Sequence, residues 1–128
     1  MIDAKYKKII DILIEKSKSK DAIWHKTSRE NEFKINLKSS TITVDSWYND
    51  KDGFNYIDFL LRNQRGDKIG RLVYTDDAEN EEYEHLSILH NYARESYYKV
   101  DETIDDIFDE LKGDGKVGDE NNSDDLPF

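Results

Sequence analysis

Most of the architecture can be read from residues 33–74, FKINLKSSTITVDSWYNDKDGFNYIDFLLRNQRGDKIGRLVY. Phe33, Ile35 and Leu37 alternate with Lys34, Asn36 and Lys38, and after Ser39-Ser40 the pair Ile42 and Val44 alternates with Thr41, Thr43 and Asp45. A period of two places successive side chains on opposite faces of a pleated strand, so these are two strands joined by a serine turn. Asn49-Asp50-Lys51-Asp52-Gly53 has turn chemistry, Tyr56 to Asn63 reads as a third strand, Gln64-Arg65-Gly66-Asp67 turns again, and Ile69 to Tyr74 returns as a fourth. Connections this short join antiparallel neighbours. A fifth strand is expected at Ala22 to Thr27, around Trp24.

On both sides of this block the period changes to that of a helix. Ile2, Tyr6, Ile9, Ile10, Leu13 and Ile14 recur at helical spacing, which predicts an amphipathic helix over about 2–17 that ends in the polar run Ser17 to Asp21. Beyond Thr75, Asp76 or Asp77 is a candidate cap for the next helix. Leu86, Leu89, Ala93, Tyr97, Val100, Ile104, Ile107, Phe108 and Leu111 then step by three or four residues, with Asp101 as a candidate second cap, so one long helix and two bent helices both fit. Gly113 and Gly115 end the pattern. The expected fold is α+β: an antiparallel meander of four or five strands, one face covered by the N- and C-terminal helices. Residues 1–112 make the domain and residues 113–128 an acidic, unstructured tail.

Composition narrows the function classes. The chain has 128 residues, no cysteine and a formal net charge of −10. A disulfide framework, a thiolate nucleophile and a cysteine metal site are therefore excluded, and no apolar run of membrane-spanning length occurs, so a cytoplasmic protein is expected. Charge is uneven: residues 1–75 carry 15 Lys plus Arg against 11 Asp plus Glu, and residues 76–128 carry 4 against 18. A basic first half beside an acidic second half is compatible with nucleic acid on one side and basic proteins on the other.

No constellation of catalytic residues stands out, and neither a cofactor nor a metal is expected. His85 and His90 lie about 140° apart on a helix and cannot share a ligand face, while Glu81 and His85 make at most an exposed helix pair. The acidic residues Asp105, Asp106, Asp109 and Glu110 read as a solvated helix face. In the sheet, aromatic residues are interleaved with cations, and that mixture can stack bases and track phosphates. With Ile57, Phe59 and Val73 directed inward, Tyr48, Tyr56 and Tyr74 are the rings expected outside. Together with Lys34, Lys38, Arg62 and Arg71 they are the candidate contacts to single-stranded DNA.

The last residues are Ser123-Asp124-Asp125-Leu126-Pro127-Phe128. Pro127 fixes its own φ and biases Leu126 to an extended conformation, so the apolar end is held away from the chain, with Phe128 offering a ring and a carboxylate together. A receptor needs an apolar pocket, a cation for the carboxylate and a basic rim for the aspartates. This end resembles the C-terminal tip of bacterial single-stranded DNA-binding proteins, a run of Asp followed by Ile or Leu, Pro and Phe. The resemblance implies a bacterial or phage protein whose Asp124, Asp125, Leu126, Pro127 and Phe128 dock onto nucleases, helicases, primosome and recombination proteins. The rest of the chain departs from that family, since its N-terminus does not begin an oligonucleotide-binding barrel. Two readings follow: an adapter or competitor acting through the tip, or an atypical single-stranded DNA-binding protein whose tail recruits enzymes.

Overall fold

The computed structural model describes residues 4–77 and 80–118. The element order is α1 (Ala4–Lys18), β1 (His25–Lys26), β2 (Phe33–Asn36), β3 (Ser40–Asn49), β4 (Phe54–Asn63), β5 (Lys68–Thr75), α2 (Glu81–Tyr98) and α3 (Val100–Lys112). The five strands form one antiparallel sheet in the order β1-β2-β3-β4-β5. The α+β meander is thus the observed fold. The chain divides into two compact units, the first ending at Tyr98 and the second beginning at Lys99.

In the first unit the sheet's inner face is written by register. Ile42 lies opposite Leu61, Val44 opposite Phe59, Phe59 opposite Leu72 and Ile57 opposite Tyr74. Ile10 and Leu13 of α1 and Leu86, Leu89 and Ala93 of α2 join Phe33, Val44, Ile57 and Phe59 in one buried cluster. Burying apolar side chains of this size contributes about 1.5–3 kcal/mol each, which is why two helices with half-polar faces stay on the sheet.

Helix ends follow local chemistry that the sequence only partly signals. At the end of α1, Lys20 takes φ 66°, Asp21 N–H donates to Lys16 O at 2.7 Å and Lys20 N–H to Ser17 O at 3.2 Å. This is the Schellman closure, with lysine where glycine is the usual choice. Ser17 belongs to the core, not to a solvated end: it is buried and its hydroxyl accepts from Trp24 Nε1 at 2.9 Å. Trp24 is buried in turn, and only His25–Lys26 of the expected 22–27 strand is paired.

At the start of α2 the cap is Asn80, whose Oδ1 accepts from Glu82 N–H at 3.1 Å and Tyr83 N–H at 3.2 Å. Neither expected aspartate serves: Asp76 accepts from the Asn55 backbone and side chain, each at 2.8 Å, and Asp77 from the Thr75 hydroxyl.

The C-terminal stripe is two helices, and the break is at Lys99 (φ 53°), not at Asp101. Burial follows the stripe through Ala93: within the first unit α1 and α2 cover the sheet, and in the second unit no residue of α3 is buried. Leu37 also differs from expectation. β2 ends at Asn36, and Leu37, 48% exposed, sits in the turn, its N–H donating to Ser40 O.

One close approach sets the end of the β4–β5 hairpin. A Cβ on Gly70 would stand 2.1 Å from the Tyr6 hydroxyl oxygen, so only glycine lets the Tyr6 ring lie against β5 there. Register shifts at the neighbouring pair, from Leu61 opposite Gly70 to Arg62 opposite Lys68.

Candidate nucleic-acid interface

Strand alternation places Thr43, Asp45 and Trp47 of β3, Tyr56, Asp58, Leu60 and Arg62 of β4, and Arg71 and Val73 of β5 on the face opposite the helices. Four of the seven expected DNA contacts, Lys34, Tyr56, Arg62 and Arg71, are on this open face. Lys38 is in the exposed β2–β3 turn. Tyr74 is not on the open face. It pairs with Ile57 and packs against the core, where burial and, secondarily, Glu82 push its hydroxyl pKa up. Val73, expected inside, is the outward residue at 41% exposure. The run Leu72-Val73-Tyr74 is apolar at every position, so its parity is not legible, and Gly70 beneath Tyr6 is the residue that decides it. Tyr48 is 61% exposed but shares the parity of Ile42 and Val44, at the far end of β3.

The centre of the open face is a charge problem solved internally. Asp45 and Asp58 are directly opposite one another across β3 and β4, an arrangement of like charges that is unfavourable unless each is compensated. Arg29 Nε donates to Asp45 Oδ2 at 2.7 Å. Arg71 grips Asp58 with two nitrogens, Nε at 3.0 and 3.1 Å and Nη2 at 2.7 Å, and this pairing raises the guanidinium pKa further. Burial pushes the Asp45 pKa up, and the Arg29 charge and hydrogen bond oppose that shift. A bidentate arginine–carboxylate pair is a strong, directional contact, so Arg71 is committed to its own chain.

Beside these pairs, Trp47 and Tyr56 stack across the strands at 5.4 Å between centroids and 8° between planes. The Arg29 guanidinium is 5.9 Å from the Trp47 ring centre, and the Tyr56 hydroxyl donates to Asp52. The rings therefore spend stacking and polar capacity on each other and on neighbouring residues. Arg62 donates to Gly66 O at 3.2 Å in the hairpin turn and has no carboxylate partner in that contact. Lys34 and Arg62 on the face, with Lys38 in the adjoining turn, are the expected cations that this region offers a phosphate chain.

Arg29 and Trp47 are central here, yet Arg29 was not among the expected basic contacts. A signal existed: Asp45 has outward parity in the middle strand of a five-strand sheet, and a carboxylate so placed needs a cation from outside the strand pair. The histidines are also assigned. His90 Nε2 donates to Asn31 O at 2.7 Å, its ring is edge-on to Phe33 at 5.5 Å, and burial lowers its pKa. His85 Nε2 is 2.6 Å from Asp11 Oδ1 of α1, off the line of a good hydrogen bond, so its near carboxylate is Asp11 and not Glu81.

Among the described residues no group of three or more His, Asp or Glu is placed to hold a metal ion, and no helix is long and apolar enough to cross a membrane. Two shallow depressions of about 410 Å³ each are lined by α1 and the turn that follows it, or by α1 and α2. The expected docking residues Asp124, Asp125, Leu126, Pro127 and Phe128 lie outside the described residues. No protein-family model, curated protein or solved structure matches the chain.

Proposed function

We propose that this is a non-enzymatic bacterial or phage interaction protein whose C-terminal tip docks onto replication, recombination or repair proteins at the site that receives the tip of single-stranded DNA-binding proteins. It acts there as an adapter or a competitor. The observation that carries the reading is the sequence Asp124-Asp125-Leu126-Pro127-Phe128, which combines the ring, the restricted backbone and the upstream charge that such a site needs. The state of the sheet supports this over DNA binding. Arg29 and Arg71 neutralise Asp45 and Asp58, so binding a phosphate with either means giving up an existing ion pair.

The test is to titrate a purified bacterial exonuclease or helicase that binds the single-stranded DNA-binding-protein tip with the intact chain and with a chain lacking Phe128. Loss of binding with an unchanged thermal midpoint is expected, because a tail residue contributes pocket burial to a complex and nothing to the core. Equal binding by both chains rejects the proposal. The competing reading rests on the Trp47–Tyr56 stack. Under it, an oligothymidylate binds at low salt and Tyr56→Ala weakens that by about 1–3 kcal/mol; no binding by the folded chain is expected.

A further inference from the structure

Helix α3 carries an apolar face with nothing buried in it. Ile104, Ile107, Phe108 and Leu111 are 45, 51, 58 and 57% exposed, and Val100 continues their line. At 100° per residue these five side chains fall within an arc of about 100°. Ile104, Ile107, Phe108 and Leu111 occupy i, i+3, i+4 and i+7, the anchor spacing of a helix that is laid into a groove. A 13-residue helix is near the length at which an unassisted helix is marginal in water, since packing of one face normally supplies most of the stability. An exposed arc of this kind marks an interaction surface.

The flanks say what covers it. Asp101, Lys112 and Asp105 border the arc on one side and Thr103, Glu110 and Asp106 on the other, while Asp109 and Glu102 complete the polar face. Against these six acids α3 has one cation, Lys112, a net charge of −5. A second copy would bring two such helices together, twelve carboxylates against two lysines, and like charges beside a helical seam select against that pairing. An anionic membrane surface repels the same helix, because interfacial helices carry lysine and arginine on the polar face. A protein groove with an apolar floor and Lys/Arg rims satisfies both the arc and its borders.

We infer that α3 is a recognition helix, docking by Ile104, Ile107, Phe108 and Leu111 into an apolar, basic-rimmed groove on another protein. This does not rest on the tip and uses a different part of the chain.

The experiment uses the full chain, with a Phe128→Ala chain beside it, so that a failed tip reading leaves the result untouched. Two designed helical hairpins serve as probes, alike in a leucine-lined groove and differing in rims of Lys or of Glu, with binding followed by calorimetry at low and high salt. The Lys-rimmed groove is expected to bind at least about tenfold more tightly than the Glu-rimmed one, with the preference shrinking as salt rises. Phe108→Ala, which keeps a helix-compatible residue, should weaken binding about tenfold, and Ile107→Asp should abolish it, with the thermal midpoint of the remaining structure unchanged. Equal affinity for both rims, undiminished binding by Phe108→Ala, or a dimer in sedimentation that Ile107→Asp dissociates would each overturn the inference, the last by making a second copy the occupant.

Discussion

Helices α2 and α3 have the same sequence grammar and opposite fates. Both step apolar residues by three and four, and a single left-handed residue, Lys99, separates them. In α2 the stripe is fully enclosed at Leu86, Leu89 and Ala93; in α3 the corresponding side chains are about half exposed. Periodicity therefore specifies which face of a helix is apolar and leaves open what lies against it. The difference comes from the other partner. The sheet's inner face presents Phe33, Val44, Ile57 and Phe59 to α1 and α2, whereas the borders of α3 carry acids suited to a basic neighbour.

That contrast can be broken by substitution. Leu89→Ala should cost about 2–5 kcal/mol in denaturant unfolding, since the site is closed on all sides and leaves a cavity; a cost below 1 kcal/mol would mean that α2 is no more essential to the core than α3. His90→Phe should cost about 1–3 kcal/mol near neutral pH by orphaning the Asn31 carbonyl.

His90 also carries a pH signature. Burial lowers its folded-state pKa below the unfolded value of 6.5, so the unfolded chain binds the extra proton first. Its contribution is complete above 6.5 and lost as pH falls from there toward the depressed folded value. Unfolding midpoints measured across that window should decline in the wild type and flatten in His90→Phe. Lys20→Gly, which relieves a left-handed lysine, should gain up to about 1 kcal/mol in the same assay. Ile107→Ala should move the midpoint least, by no more than about 0.5 kcal/mol, and a larger loss would show that α3 is supported by packing after all.

The sequence was most legible where period and turn chemistry agree. The three long strands and both flanking helical segments follow from alternation, the Gly53 and Gly66 turns, and the three–four step of the apolar residues. Legibility failed where one residue type has two uses. Ser17 and Asn80 look like generic polar residues until their partners, Trp24 and the free amides of α2, are in place. Leu72-Val73-Tyr74 gave no parity because all three are apolar. Of the open face, Tyr56, Arg62 and Lys34 were placed correctly by alternation, whereas Arg71 shares the parity of Val73, which was expected inside; the pairings of these residues were not legible. That Arg71 serves Asp58, and that Asp45 draws in Arg29 from sixteen residues away, depends on cross-strand register and loop closure.

Gly70 has a meaning for fidelity of assembly. Because the Tyr6 ring takes the space where a side chain would be, sliding β5 by one position along β4 would set Ile69 or Arg71 under that ring, and either would collide. A strand whose apolar run reads equally well in two phases is prone to slip. The missing side chain thus acts as a key that admits one alignment of β5 against the Tyr6 ring.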